Sequence, residues 1–292
     1  MENLVLSVED VSIKLKKFNL KHISFQLPAG YILGIIGCNG AGKTTLMKVL
    51  QNIYIKNKGT VTIAGFDTKK HEVEAKNAVG FIMDQPFFDQ LSLEDNAKMF
   101  GDFYENYNHK LFLEYLIRFN LDKGKELGKL SKGMITKFQL AFALSHQAKL
   151  LILDEPTGGL DPIFRREFLE ILQDVVETEE VSVIISTHIT SDLDKVADYI
   201  ALIDQGEMVF YMPKEDLMDQ FRIVKGSREL LRKIPRECFV AIRSYAHGFQ
   251  GLTRDYQKCE SYCCDTDELV TQIPSIEEIM YFIHKERREL HD

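Results

Sequence analysis

No stretch of the chain approaches the about 18 consecutive apolar residues that would cross a bilayer; the most apolar runs, 31–36 and 150–153, are strand-length. The opening MENLVLSVED lacks the basic start and apolar core of a secretory signal. Excess positive charge is missing too. Lys and Arg number 36 against 44 Asp and Glu, a net charge of −8, which leaves no broad basic footprint for duplex DNA. Cysteine is sparse. The count is five, and four of them fall in the last quarter. That does not read as a secreted disulfide framework, so free cytosolic thiols are the expectation. Internal repeats and low-complexity segments are absent. The 292 residues, 45% hydrophobic and 27% charged, have the balance of a globular chain with one large or two modest domains. These absences predict a soluble chain in the cytoplasm; at a membrane, something else would have to hold it there.

Short alternating strands are predicted over the first 35 residues, with Pro28-Ala29-Gly30 as a turn. The continuous apolar run 31–36 (YILGII) reads as a strand buried on both faces, and it leads through glycines into the helical stretch TTLMKVLQNI. Further strands are predicted at 59–65, 79–83, 148–153 and 181–187. An amphipathic helix is predicted at 163–177, with Phe164, Phe168, Ile171, Leu172 and Val175 on one face. Buried strands alternating with helices argue for an α/β core. Residues 85–145 read as a helical insertion. The last 70 or so read as a small α/β appendage whose final helix opens on Ser275 and Glu278, at capping-box spacing.

Residues 37–44, G-C-N-G-A-G-K-T, satisfy the phosphate-loop pattern G-x-x-x-x-G-K-[ST]. Gly37, Gly40 and Gly42 let backbone N–H groups turn inward around phosphates, and the following helix aims its positive end at the anion. Lys43 would reach the β- and γ-phosphates of ATP, and Thr44 would ligate Mg²⁺. Asn39, Ala41 and Thr45 complete the nucleotide-contacting stretch, and Cys38 is either inert filler or a redox position. Downstream, the apolar strand 150–153 ends in Asp154 and Glu155. Asp154 would hold Mg²⁺ through water, and Glu155 would polarise the attacking water as general base.

The order K-L-S-K-G-M (129–134), LLILDEPTGGLDP (150–162) and IISTH (184–188) resembles the nucleotide-binding subunit of ABC transporters, from near the N-terminus to about residue 212. The resemblance implies an α/β fold: a P-loop NTPase core of ABC type with an antiparallel β subdomain, a helical subdomain and a small C-terminal α/β appendage. A cassette over 1–222 and an accessory domain over 223–292 are expected. Residues 130–134 match the family's LSGGQ signature, with Ser131 and Gly133 retained, Lys132 replacing a glycine and Met134 the glutamine. In the family this motif contacts the γ-phosphate of ATP held by the opposite subunit. Lys132 either adds charge there or is solvated. Asp161 lies in the stretch that matches the D-loop, which crosses the dimer interface. His188 matches the switch histidine that bonds the γ-phosphate.

Two positions depart from the family. Asp84 stands where the Q-loop glutamine is usual, with Gln85 next, and either is a candidate for Mg²⁺ or water. The adenine-stacking aromatic is usually a tyrosine. Phe18 is the available ring here, off the usual register, and it either stacks on the base or packs in the core.

Within the superfamily the chain looks like the YtrB-like exporter ATPases, which implies a homodimer or heterodimer, integral membrane transporter subunits as partners, peptide or toxin-peptide export, and a place on the cytoplasmic face of the membrane. No nucleic-acid partner is expected. The rival is a soluble ABC-type ATPase acting on nucleic acid or the ribosome. A degenerate regulatory ATPase rests on Asp84 alone. The C-x3-C-C run (Cys259, Cys263, Cys264) reads as part of a regulatory or dimer-contact module, with a metal site as the weaker alternative.

Overall fold

The computed structural model describes residues 3–82, 87–262 and 269–289. It forms two units, Met1–Ile189 with Ala201–Tyr211, and Thr190–Ile200 with Met212–Asp292. Asp84 and Gln85, like Cys263 and Cys264, lie outside the described residues.

In the first unit the strands are β1 (Leu4–Lys14), β2 (Asn19–Pro28), β3 (Ile32–Ile36), β4 (Lys58–Ile63), β5 (Phe66–Asp67), β6 (Val79–Ile82), β7 (Leu150–Asp154), β8 (Ser182–Ser186), β9 (Tyr199–Asp204) and β10 (Glu207–Pro213). They are ordered β5-β4-β1-β2-β10-β9-β3-β8-β7-β6. β1 and β2 pair antiparallel, with Leu6 opposite Leu27 and Val8 opposite Phe25. Their alternating burial gives one wet and one packed face. β3, β8, β7 and β6 run parallel. β3 and β8 are buried at every residue and β7 at all but Asp154, as continuous apolar runs require in a sheet covered on both faces.

The helices of this unit are α1 (Lys43–Leu50), α2 (Glu72–Asn77), α3 (Leu93–Gly101), α4 (His109–Arg118), α5 (Lys132–Ser145) and α6 (Pro162–Glu179). α3, α4 and α5 begin on Ser92, Asn108 and Ser131, each accepting a backbone N–H with its side chain. They pack around aromatic rings: Phe87 lies edge-on to Phe100 and Phe138, centroids 4.9 Å apart in each case. The buried Asn96 amide donates to the Phe88 carbonyl and accepts its N–H, tying the approach loop to α3. On α6, Phe168, Leu172 and Val175 are buried as expected, Phe164 and Ile171 are only half-buried, and Leu169 and Val176 are buried beside them.

The second unit holds α7 (Thr190–Val196), α8 (Lys214–Gln220), α9 (Arg228–Lys233), α10 (Tyr256–Glu260) and α11 (Ile276–Glu289). Its sheet is antiparallel, in the order β12 (Ala241–Ser244), β13 (Phe249–Thr253), β11 (Arg222–Gly226), β14 (Val270–Gln272). Phe239, Phe249, Leu230 and the free thiols Cys238 and Cys259 share one core. The capping box forms: Ser275 Oγ accepts the Glu278 N–H at 3.2 Å, and Glu278 accepts the Ser275 N–H at 2.9 Å.

His146 ends α5, 2% exposed, stacked on Tyr104 with centroids 4.0 Å apart. Its ring nitrogens lie 3.1 Å from the Phe142 carbonyl and 3.2 Å from that of Val79. Burial outweighs both carbonyls and pushes the imidazole pKa down to about 4. The folded protein therefore holds His146 neutral where the unfolded chain, with its ordinary value of 6.5, is already taking up a proton. That contribution to stability is intact above about pH 6.5 and lost as pH falls towards 4. Urea unfolding at pH 7 and pH 4.5 should show wild type losing roughly 2–3 kcal/mol more than His146→Gln. Equal losses would contradict this account of the imidazole.

Candidate nucleotide-binding site

The loop between β3 and α1 is shaped by close approach. A Cβ on Gly37 would sit 2.2 Å from the Ile203 carbonyl oxygen, so no side chain fits there. Gly42 caps α1 with φ +117, a conformation favouring glycine, and a Cβ there would come within 2.7 Å of the Phe18 ring and the Leu20 side chain. Phe18 is thus half-buried against the loop glycine. It also lines a cleft of about 540 Å³ with Lys14, Lys16, Gly40 and Gln205. Asn39, Gly40 and Thr44 are exposed, Thr45 is half-buried, and Ala41 is buried. The Ala41 N–H bonds the Cys38 carbonyl at 3.0 Å, and its carbonyl accepts from Gly206 at 2.9 Å.

Lys43 folds back into its own loop. Its ammonium, 7% exposed, donates to the Gly37 carbonyl at 2.7 Å and lies 4.0 Å from Glu155 Oε1. Glu155 Oε2 lies 2.6 Å from His188 Nδ1 and accepts the His188 N–H at 3.3 Å. A cation, a carboxylate and an imidazole from three separate stretches thus form one line. Glu155 holds φ +50, a left-handed conformation costly for a side-chain-bearing residue and concentrated at functional sites. Its N–H bonds the Ser186 carbonyl at 3.0 Å and lies 3.3 Å from Ser186 Oγ.

Ser186 was not among the residues legible as functional. It ends β8, fully buried, level with Asp154 across the parallel pair. Its hydroxyl bonds Asp154 Oδ1. One side chain therefore orients the Asp154 carboxylate and meets the Glu155 backbone. The only sequence signal was a serine closing an otherwise apolar strand.

Thr44, Asp154 and Glu155 face a cleft of about 960 Å³, shared with Phe87, Phe100, Tyr104 and Lys132. Hydroxyl and carboxylate oxygens are the hard donors that suit Mg²⁺. Among the described residues no cluster of three or more His, Cys, Asp or Glu could hold a metal alone.

The signature and D-loop residues sit at the starts of two helices. Ser131 caps α5, its Oγ accepting from Met134 at 3.3 Å. Gly133 faces α6: a Cβ there would lie 2.3 Å from the Phe164 ring. Asp161 caps α6, accepting from Ile163 at 3.1 Å and Phe164 at 3.0 Å. Lys132 is not simply solvated, because its ammonium bonds the Gly158 carbonyl at 2.5 Å.

A buried parallel strand, a glycine loop wrapped on a helix start, and an acidic strand end two strands away define a phosphate-loop NTPase. The ABC transporter family profile matches residues 20–158. The ABC transporter ATP-binding protein YdbJ of Bacillus subtilis is 33% identical over 212 residues, 71% of this chain and 69% of that one. The linearmycin resistance ATP-binding protein LnrL of the same organism is 31% identical, covering 80% and 76%. The bacitracin transport ATP-binding protein BcrA of Bacillus licheniformis is 31% identical, covering 70% and 68%. A solved ATP-binding subunit of an ABC transporter shares the fold, with TM-score 0.67 and 24% identity over 74% of this chain and 92% of the other. The chain belongs to the ATP-binding proteins of ABC transporters, and is an ATPase of that family. Among the described residues no helix is long and apolar enough to cross a membrane.

Ser186→Ala removes the bond to Asp154 but leaves the phosphate loop intact. A hydrogen bond to a charged group contributes about 1.5–3 kcal/mol, so kcat for ATP should fall about 10- to 100-fold. Nucleotide affinity without Mg²⁺ should stay near wild type, and Ser186→Thr should recover part of the rate. Unchanged kcat in Ser186→Ala would remove Ser186 from the site.

Proposed function

We propose that the chain hydrolyses ATP as half of a pair of cassettes, at sites each completed by the opposite subunit. The observation that carries the reading is the line Lys43–Glu155–His188, whose Glu155 lines one cleft with the exposed Thr44. Backbone N–H groups of residues 37–45 cradle the phosphates, and Lys43 leaves the Gly37 carbonyl for the β- and γ-phosphates. Glu155 takes the proton of the attacking water, and His188, held by Glu155, bonds the γ-phosphate. The adenine ring of ATP lies in the cleft beside Phe18. Thr44 and Asp154 would hold Mg²⁺, which supplies charge neutralisation at the transferring phosphate. The Q-loop role of the family would fall to Asp84 or Gln85.

Ser131 and Gly133 present the start of α5, whose N-terminal dipole favours an anion, to ATP on the opposite subunit, and Asp161 reaches across the same interface. Closure of the pair is passed to integral membrane subunits through the aromatic cleft of Phe87, Phe100 and Tyr104. In this reading the chain works on the cytoplasmic face of the membrane. The relative named for bacitracin transport supports a peptide as the cargo, and the resemblance to exporter ATPases supports export as its direction. Residues 1–222 act as the cassette and 223–292 as an accessory domain.

Glu155→Gln keeps shape but removes the base. Purified variant should bind ATP, elute as a dimer only with ATP, and turn over about 10²- to 10⁴-fold more slowly than wild type. Wild-type turnover would remove Glu155 as base, and a monomer at saturating ATP would remove the paired site.

A further inference from the structure

Lys132 occupies a signature position where the family usually has glycine, and its side chain is not idle. Standing next to the N-cap Ser131, it bonds the Gly158 carbonyl, and its Nζ lies 3.8 Å from where a Cβ on Gly159 would be. Gly158 in turn donates its N–H to the Glu155 carbonyl at 3.1 Å. Glu155 is held in its left-handed conformation at the far end of that turn, with its carboxylate on His188. A continuous path of hydrogen bonds therefore runs from the signature motif to the proposed general base of the same chain.

The surroundings make this contact the movable one. Deeper along the two helices, α5 and α6 are fastened by buried packing. The Lys137 ammonium, its side chain 7% exposed, pairs with Glu167 at 2.7 Å and lies 4.7 Å from the centre of the Phe164 ring, which itself fills the space beside Gly133. Lys132 is exposed, and its partner is a neutral carbonyl. An ammonium exchanges such a partner readily for a phosphate, which offers a charge-assisted bond.

We infer that Lys132 links the two ATP sites of the pair: it tethers the 156–161 loop of its own chain until the γ-phosphate held by the opposite subunit draws it away, which frees that loop and resets Glu155. This rests on the paired site proposed above. ATP at one site then alters the base at the other, which is a coupling between sites in the thermodynamic sense. It also gives a reason for lysine where glycine would serve for phosphate contact alone, since glycine could not reach Gly158.

The test has two readings. ATP-dependent dimerisation of Glu155→Gln and of Glu155→Gln/Lys132→Met is measured first by size-exclusion chromatography. Loss of the dimer in both would remove the paired site and this inference with it, whereas loss only in the double variant would make Lys132 a dimer contact and overturn the link. With dimers formed, initial rates are measured against ATP concentration. Wild type should give a Hill coefficient well above one and approaching about two, the limit for two sites. Lys132→Met should fall to about one, and Lys132→Arg, which keeps charge and reach, should restore cooperativity. A Lys132→Met enzyme that is slower but as cooperative as wild type would make Lys132 a phosphate contact only and overturn the link. A non-cooperative wild type would overturn it equally.

Discussion

The site depends on the parallel register of three strands. Ile35 on β3, Ser186 on β8 and Asp154 on β7 lie level across neighbouring strands. Just past that line β3 runs into the phosphate loop, β7 into Glu155, and β8 into Thr187 and His188. Parallel sheets bind ligands at the carboxyl ends of their strands, because helix starts and freed backbone collect there. A slip of one residue would turn Asp154 and Ser186 to the opposite face and separate the carboxylates from Lys43. The backbone pairing of β3 with β8 and of β8 with β7 is what holds that register.

Given that edge, the charges satisfy one another within the chain. A nearly buried ammonium such as Lys43 needs partners, and it finds the Gly37 carbonyl and, at 4.0 Å, Glu155. Glu155 is shared with His188. Such a network leaves no buried charge alone. The same logic extends to Lys132, whose carbonyl partner is weaker than the anion it faces in the paired reading. Polar groups thus hold the geometry of this edge.

Much of this was legible in the sequence, because the signals are local. The phosphate loop stands out through glycines at fixed spacing, the buried strands through unbroken apolar runs, and the α11 start through Ser275 and Glu278. Contacts far apart in sequence were not legible. Ser186 resembles any strand-ending serine until the register sets it beside Asp154, 32 positions away. Lys132 offered two readings, charge towards phosphate or plain solvation, and the structure supplies a third, a tether across 26 positions to Gly158. Phe18 was poised between base and core. It packs against Gly42 and borders a cleft beside Gly40, so propping the loop and facing the cleft are compatible. On α6 the helical period found Phe168, Leu172 and Val175 but misplaced the edges of the face: Phe164 and Ile171 are half-buried, and Leu169 and Val176 are buried instead.

The most direct measurement is a crystal structure of the chain with Mg²⁺ and a non-hydrolysable ATP analogue. The account predicts two cassettes enclosing two nucleotides, each γ-phosphate lying between Lys43 and His188 of one chain and Ser131 and Gly133 of the other, with Lys132 off the Gly158 carbonyl. A nucleotide enclosed by a single chain, with Ser131 facing solvent and Lys132 still on Gly158, would contradict it.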